Sequence, residues 1–301
     1  MAAKLLDGEV LAQKMQEDIK ARVEKLRSEG KEAVLNAVQV GENAASRVYV
    51  NNQKKSCESV GLKYELKELP AETTQEELAE FISGLNKDDS VTGIILQMPV
   101  PEQVDARKAQ QAIAPEKDVE GIHPANLGRL VSGDMTIAPC TALGAMELIK
   151  ANGVDIKGKE TVVVGHSEIV GKPLTLMLLS SMTGSATPTV CHIATQDLAS
   201  HTKRAELLFV AVGKAGLVKG NMIKDGAIVV DIGINRVPML DENGEPVLNK
   251  KGKPKKKTVG DVVFDEAVEK ASYITPVPGG VGPLTVMMLI RNTVALAEGA
   301  A

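Results

Sequence analysis

Tyr49 and Gln53 stand four residues apart in Ser46-Arg47-Val48-Tyr49-Val50-Asn51-Asn52-Gln53-Lys54-Lys55, a segment that reads as the early part of a helix. Positions i and i+4 share a helical face, so a phenol and an amide are presented together. A phenol ring stacks on flat groups, and an amide donates and accepts hydrogen bonds but moves no proton at neutral pH. Gln97 closes the short apolar run Val91–Leu96, and Asp118-Val119-Glu120-Gly121 adds two carboxylates further on. Pro276-Val277-Pro278-Gly279-Gly280-Val281-Gly282-Pro283 is a stiff loop. Its prolines fix φ near about −65° and remove donors, while its glycines leave a bare backbone able to lie against something flat. Taken alone, such a cluster is better explained by a linker or surface turn.

A second constellation follows the apolar strand Thr161–Val164: Gly165-His166-Ser167-Glu168-Ile169-Val170-Gly171, then a helical pattern. Gly165 permits close backbone approach, and amides at a helix start would hold a pyrophosphate. The turn is not GxGxxG, and a plain strand-to-helix turn fits it equally well. After the next strand, dinucleotide folds place a reader of the adenosine ribose. Here the residues are Cys191-His192-Ile193-Ala194-Thr195, with neither an acid nor a Lys or Arg. A 2′-phosphate without a cation is costly, and Glu168 adds to the cost, so the turn suits NAD better than NADP. His166 or His192 could compensate in part.

The elements that must carry these residues alternate between helical and strand periods. Helix is expected over Val10–Arg27, Ala44–Val60, Thr141–Ala151 and Pro283–Glu298, and strand over Ala33–Val40, Leu62–Leu69 and Val91–Leu96. Thr74-Gln75-Glu76-Glu77 reads as a capping box opening another helix. In the second half, strands are expected at Glu160–Val164, Pro188–His192, Leu207–Val212 and Ala227–Ile232. This is the rhythm of two α/β domains on mostly parallel sheets, the second Rossmann-like. The expected domains are 1–145, rejoined by a returning C-terminal helix over 281–301, and 146–280. The lysine-rich tract Lys250–Lys257, following Asn243-Gly244, reads as an exposed loop or hairpin.

Composition narrows the class. A chain of 301 residues, 44% hydrophobic and 25% charged, has the balance of a soluble globular protein. A net charge of −4, aromatics at 2% and no Trp argue against nucleic acid. Cys57, Cys140 and Cys191 are odd in number and lack CxxC spacing, which fits a reducing cytoplasm and no thiolate metal site. Four scattered histidines supply no metal constellation. Asp7 and Glu9 lie where a signal peptide would be apolar, and no run approaches the roughly 18 apolar residues of a membrane span. A cytoplasmic protein without a membrane segment is expected.

Together, the 49/53/97 constellation, Asp118–Gly121, Pro139-Cys140-Thr141, the turn ending at Pro173 and the Pro276–Pro283 loop resemble the methylenetetrahydrofolate dehydrogenase/cyclohydrolase family. The likeness spans nearly the whole chain. It implies that Tyr49 stacks on the aminobenzoate ring of a folate, with Gln97 supporting the active-site position and Glu120 on the pterin side. Leu96, Met98 and the loop residues Pro276, Val277, Pro278, Gly279 and Gly280 would line the folate pocket. Gly165, His166 and Ser167 match the cofactor turn, with Ile193 and Ile234 beside the dinucleotide. Tetrahydrofolate one-carbon derivatives are the implied substrates and a homodimer the implied assembly.

Two positions depart from the family pattern. The family's lysine, four residues after the tyrosine, is Gln53, and the second acid of its Asp-Val-Asp-Gly motif is Glu120. Lys54 cannot substitute, because one step along a helix turns a side chain by about 100°. Hydride transfer needs alignment rather than a protein proton carrier, whereas hydrolysis of the methenyl product needs a proton moved. The expected activity is therefore NAD-linked oxidation of 5,10-methylenetetrahydrofolate with weak or absent cyclohydrolase, a separate enzyme being able to supply the hydrolysis. The alternative is a bifunctional NADP-dependent dehydrogenase/cyclohydrolase. A folate binder without turnover would not need the dinucleotide turn, and a general Rossmann dehydrogenase leaves the proline-glycine loop unexplained.

Overall fold

The structure, a computed structural model, describes residues 2–41, 44–242, 244–249 and 252–299. The chain begins with β1 (Lys4–Leu5), α1 (Gly8–Ser28), β2 (Val34–Val40), α2 (Ala44–Val60) and β3 (Lys63–Leu69). It continues through α3 (Gln75–Lys87), β4 (Gly93–Leu96), α4 (Ala106–Gln111), α5 (Pro124–Val131) and α6 (Cys140–Ala151). Next come β5 (Glu160–Val164), α7 (Gly171–Leu178), β6 (Thr187–Cys191), α8 (Leu198–Thr202), β7 (Leu207–Val210) and β8 (Ile228–Asp231). The last elements are β9 (Asn235–Pro238), β10 (Lys256–Val259), α9 (Phe264–Ala267), β11 (Tyr273–Ile274) and α10 (Val281–Ala297). They form two compact units, one of Ala12–Gly144 with Thr285–Ala301, the other of Met1–Leu11 with Ala145–Leu284.

The first unit is built on a parallel sheet of order β3-β2-β4. Its central strand β2 is buried at every position, which is why Val34–Val40 is apolar almost throughout rather than alternating. Val38, Val40, Ile94 and Leu96 pack under α3 against Leu78, Ile82 and Leu85. That helix is fixed at its start by the expected capping box: the Glu77 N–H donates to Thr74 Oγ1 at 3.2 Å, and the Thr74 N–H donates to the Glu77 carboxylate at 2.8 Å. The chain's end returns to this unit. Arg22 of α1 donates from Nε and Nη2 to both Glu298 oxygens, at 3.1 and 2.6 Å.

The second unit carries a parallel sheet of order β1-β11-β8-β7-β5-β6. Strand β5 has its successor β6 on one side and β7 on the other, so the winding reverses there. The crevice beyond the carboxyl ends of β5 and β7 is where doubly wound sheets hold nucleotides. The core beneath it includes Val162, Val164, Leu208, Val210, Val229 and Ile274. In the lysine-rich region, β9 and β10 pair antiparallel, and Lys253 and Lys255–Lys257 are exposed. Asn243, Lys250 and Lys251 lie outside the described residues. Among the described residues, no helix is long and apolar enough to cross a membrane.

Candidate functional site

In the first unit, α2 and β4 bring Tyr49, Gln53 and Gln97 together. Gln53 is fully buried, and its Oε1 accepts from Gln97 Nε2 at 2.7 Å and from the Tyr64 hydroxyl at 3.3 Å. Gln53 Nε2 has no partner among the described residues. A buried donor left unpaired costs about 1–3 kcal/mol, which a ligand acceptor or water would recover. Lys54, by contrast, is exposed and reaches Glu58 at 3.9 Å, so it does not take the place of the family lysine. Gln97 owes its position to the end of β4, where its N–H donates to Val38 O at 2.8 Å. Leu96 is buried in the core under α3 and could offer a ligand only its backbone, whereas Met98 is 46% exposed.

Tyr49 is 46% exposed, leaving much of the residue accessible to a ligand. Desolvation pushes its phenol upward, opposed by the neighbouring Gln53 amide and helped by the charges of Cys140 and Glu120. Glu120 therefore belongs to the same cluster. It is placed by Asp118, whose carboxylate accepts from the N–H groups of Glu120, Gly121 and His123 and from Asn126 Nδ2. Gly121 has φ of +70°, and a Cβ there would lie 2.3 Å from the Ala138 carbonyl carbon. Only glycine lets this loop close on its neighbour. From α10, Asn292 Nδ2 donates to Val119 O at 2.9 Å and to Ala138 O at 3.1 Å, pinning both loop segments.

Glu120 is partly exposed as a residue, yet its carboxyl is pushed up to about 8, first by desolvation and then by the Asp118 charge. The native state thus keeps a proton that the unfolded chain releases, so stability falls as pH rises from the ordinary 4.5 toward 8. Glu120→Gln removes this loss. Urea midpoints of the two proteins should converge at about pH 5 and separate by pH 8.5, the variant being the more stable by on the order of 1 kcal/mol. Equal midpoints at both pH values would contradict this environment for Glu120.

In the second unit, Gly165 follows β5 with φ of +121°, and a Cβ there would sit 2.2 Å from Ala211 O, just past β7. The turn onto α7 is closed by the Lys172 N–H to Ser167 O at 3.0 Å and by the Val170 N–H to Ser167 Oγ at 3.2 Å. His166 and Ser167 are exposed on it, with the amide end of α7 beside them. Ile193 after β6, Val212 after β7 and Ile234 after β8 are 99%, 39% and 63% exposed. Large apolar side chains bared together with helix-start amides fit a dinucleotide, whose rings would cover them and whose phosphates would take the amides.

Two buried aspartates hold these strand-end loops, and sequence reasoning did not single them out. Asp231 accepts from the N–H groups of Gly233, Asp261 and Val262. Burial pushes its carboxyl up to about 6 against those hydrogen bonds, with Asp261 adding to the rise. Asp261 accepts from the Val212 and Gly213 N–H groups and from Asn235 Nδ2. The Pro276–Gly280 loop belongs to this unit, where the Gly8 N–H donates to Gly279 O at 2.9 Å. Among the described residues no group of three or more His, Cys, Asp or Glu side chains could hold a metal ion.

The family model described as the tetrahydrofolate dehydrogenase/cyclohydrolase catalytic domain matches residues 6–120, and its NAD(P)-binding domain matches residues 139–301. The chain belongs to this enzyme family. It is 48% identical over 298 residues, covering 99% of this chain and 100% of the relative, to the "Bifunctional protein FolD" of Moorella thermoacetica. The crystal structure of the bifunctional FolD methylenetetrahydrofolate dehydrogenase/cyclohydrolase of Campylobacter jejuni matches with a TM-score of 0.90 at 44% identity, covering 100% of both chains. The Trypanosoma brucei enzyme, solved with NADP and an inhibitor, matches with a TM-score of 0.89 at 36% identity, covering 100% of this chain and 99% of that one.

These relatives bear on two expectations. Their names carry both activities, so they support the bifunctional alternative better than loss of cyclohydrolase, and they give no need for a separate hydrolase. A preference for NAD over NADP finds no support in them either. The two-domain α/β fold with a Rossmann-like second domain is as expected from the sequence.

Proposed function

We infer that this chain oxidises 5,10-methylenetetrahydrofolate to 5,10-methenyltetrahydrofolate and hydrolyses that product to 10-formyltetrahydrofolate. The reading rests on the Tyr49–Gln53–Gln97 cluster, whose buried amide donor awaits an acceptor, in a chain of this family. A dinucleotide at the six-stranded sheet would supply the hydride acceptor. Tyr49 would stack on the folate and Gln53 Nε2 would donate to it, with Gln97 and Tyr64 fixing the Gln53 amide. Hydride transfer needs only this orientation. The functional division would follow 1–145 with 281–301 for the folate and 146–280 for the dinucleotide.

Hydrolysis needs a proton carrier, and Gln53 has no accessible proton equilibrium. Glu120 is the candidate: its carboxylate would take a proton from the attacking water as the C–O bond forms. The resulting acid would return the proton to N5 as the C–N5 bond breaks, and the hydroxyl proton would pass to solvent as the formyl C=O forms. The second reading, oxidation without hydrolysis, is favoured by Gln53 standing at the lysine position. Decay of the methenyl compound with enzyme, minus its decay in buffer, separates the two. For the cofactor, the absence of Lys or Arg at 193–195 supports NAD as the better substrate near neutral pH.

Tyr49→Ala should raise the folate KM by about tenfold, the loss of stacking area being worth roughly 1–2 kcal/mol, and leave the dinucleotide KM unchanged. Tyr49→Phe should be milder. An unchanged folate KM in Tyr49→Ala would remove Tyr49 from the folate site.

A further inference from the structure

Asn36 lies in β2, beside Glu65 of β3 and Ile94 of β4. It is fully buried, yet neither its Nδ2 nor its Oδ1 has a partner among the described residues. An amide brings two donors and two acceptor sites, and burying them unpaired is costly. Asn is also a residue that strands disfavour. Val34 and Val38, two positions away on the same face and both buried, show the type that packing alone would select here. The amide therefore calls for another use.

Asn36 lines a cavity of about 230 Å³ at the amino ends of β2 and β4, whereas Gln97 sits past the carboxyl end of β4. That volume suits a molecule smaller than the drug-sized ligands held in pockets of about 300–1,000 Å³. Val34, Leu85 and Val91 supply apolar surface around the amide. The β3 wall is an ion triad, in which Lys63 Nζ and Lys67 Nζ each lie 2.8 Å from a Glu65 carboxylate oxygen. Those contacts hold the Glu65 carboxyl below the usual carboxylate range. Glu32, Asp88 and Asp89 add three more carboxylates to the lining.

The walls are already fixed. Lys117 Nζ donates to Leu85 O at 2.9 Å and to Asp88 O at 2.6 Å, closing the end of α3. The Ser90 N–H donates to Asp88 Oδ1 at 2.9 Å, which shapes the loop into β4. The Val34 N–H donates to Thr92 Oγ1 at 2.9 Å, tying the start of β2 to that loop.

We propose that this cavity binds a small zwitterion carrying a primary carboxamide, the chemistry of a free amino acid with an amide side chain. The complement of an unpaired amide is a second planar amide, which returns one donor and one acceptor. The alternating charges of Lys63, Glu65 and Lys67 match the other end of such a molecule, its carboxylate on the lysines and its ammonium on Glu65. Partly exposed ion pairs hold each other weakly, so the charges of the ligand can part them and let its amide reach the one behind. A net anion such as phosphate would instead meet four carboxylates against two ammonium groups. The site stands at the opposite end of the strand from the Tyr49–Gln53–Gln97 cluster, so neither reading depends on the other.

The test is a 1H–15N chemical-shift titration of the full chain with L-glutamine and L-asparagine. At least one should give saturable shifts centred on the cavity residues of β2, β3 and the α3–β4 loop. L-Norvaline, a zwitterion without the amide, and L-glutamate, with a carboxylate in its place, should each bind at least about tenfold more weakly. Asn36→Val should weaken the amide ligand by about tenfold or more, and Lys67→Gln by about threefold. Should Asn36→Val fail to fold, the norvaline comparison reads the same amide pair from the side of the ligand. No saturable shift with either amide up to about 0.1 M, norvaline binding as tightly, or binding unchanged in a folded Asn36→Val would overturn the proposal. Shifts centred on Tyr49, Gln53 and Gln97 would also overturn it, because they would put the probe in the folate site.

Discussion

Gly165→Ala is expected to weaken dinucleotide binding by about a hundredfold, or roughly 2.7 kcal/mol, and to lower stability by about 1–3 kcal/mol. The φ of +121° is outside what an L side chain adopts readily, and the new methyl would meet Ala211 O at 2.2 Å. The neighbouring backbone cannot yield easily, because a Cβ on Gly171 would already lie 2.0 Å from Gly165 O. Relief must therefore come from shifting the turn that carries His166 and Ser167. NADH titration and urea denaturation of the variant check both effects. Unchanged affinity in a folded variant would mean that the turn is not the pyrophosphate site.

Glu120→Gln is expected to lower methenyl hydrolysis by about 10²–10⁴-fold, the range for losing a general acid or base, while hydride transfer falls by less than about tenfold. The asymmetry follows from the chemistry, since oxidation needs orientation and hydrolysis needs a mobile proton. The cluster offers few other carriers. Burial pushes Tyr49 and Tyr64 upward and Cys140 well above its ordinary value. Gln53→Lys combined with Glu120→Asp should hydrolyse the methenyl compound where Glu120→Gln does not, because an ammonium in a pocket can shift downward and exchange protons. Hydrolysis that survives Glu120→Gln at full rate would place the proton on another group.

The sequence made the α/β rhythm legible because parallel strands buried on both faces leave continuous apolar runs such as Leu207–Val210, and because Thr74 and Glu77 mark a helix start locally. It also placed Tyr49 and Gln53 on one face, since four residues along a helix do so by geometry. Other features depend on distant pairs that no local pattern announces. Asn292 reaches Val119 and Ala138 across more than 150 positions, and Asp231 and Asp261 fix loops that only the sheet brings together. Tyr64 joins Gln53 because β3 lies beside α2, not because of its spacing. The sequence-based expectation of weak or absent hydrolysis weighed the missing lysine and the longer acid at 120 by residue type; the environment of Glu120, which needs the folded loop, was not visible to it.

The most direct test follows the methenyl absorbance band after mixing the full chain with 5,10-methylenetetrahydrofolate and either NAD or NADP. The band should rise at a rate proportional to enzyme, faster with NAD near neutral pH. Once the dinucleotide is exhausted, it should decay faster than in buffer as the 10-formyl product forms. No rise above the enzyme-free control with either dinucleotide would contradict the assignment.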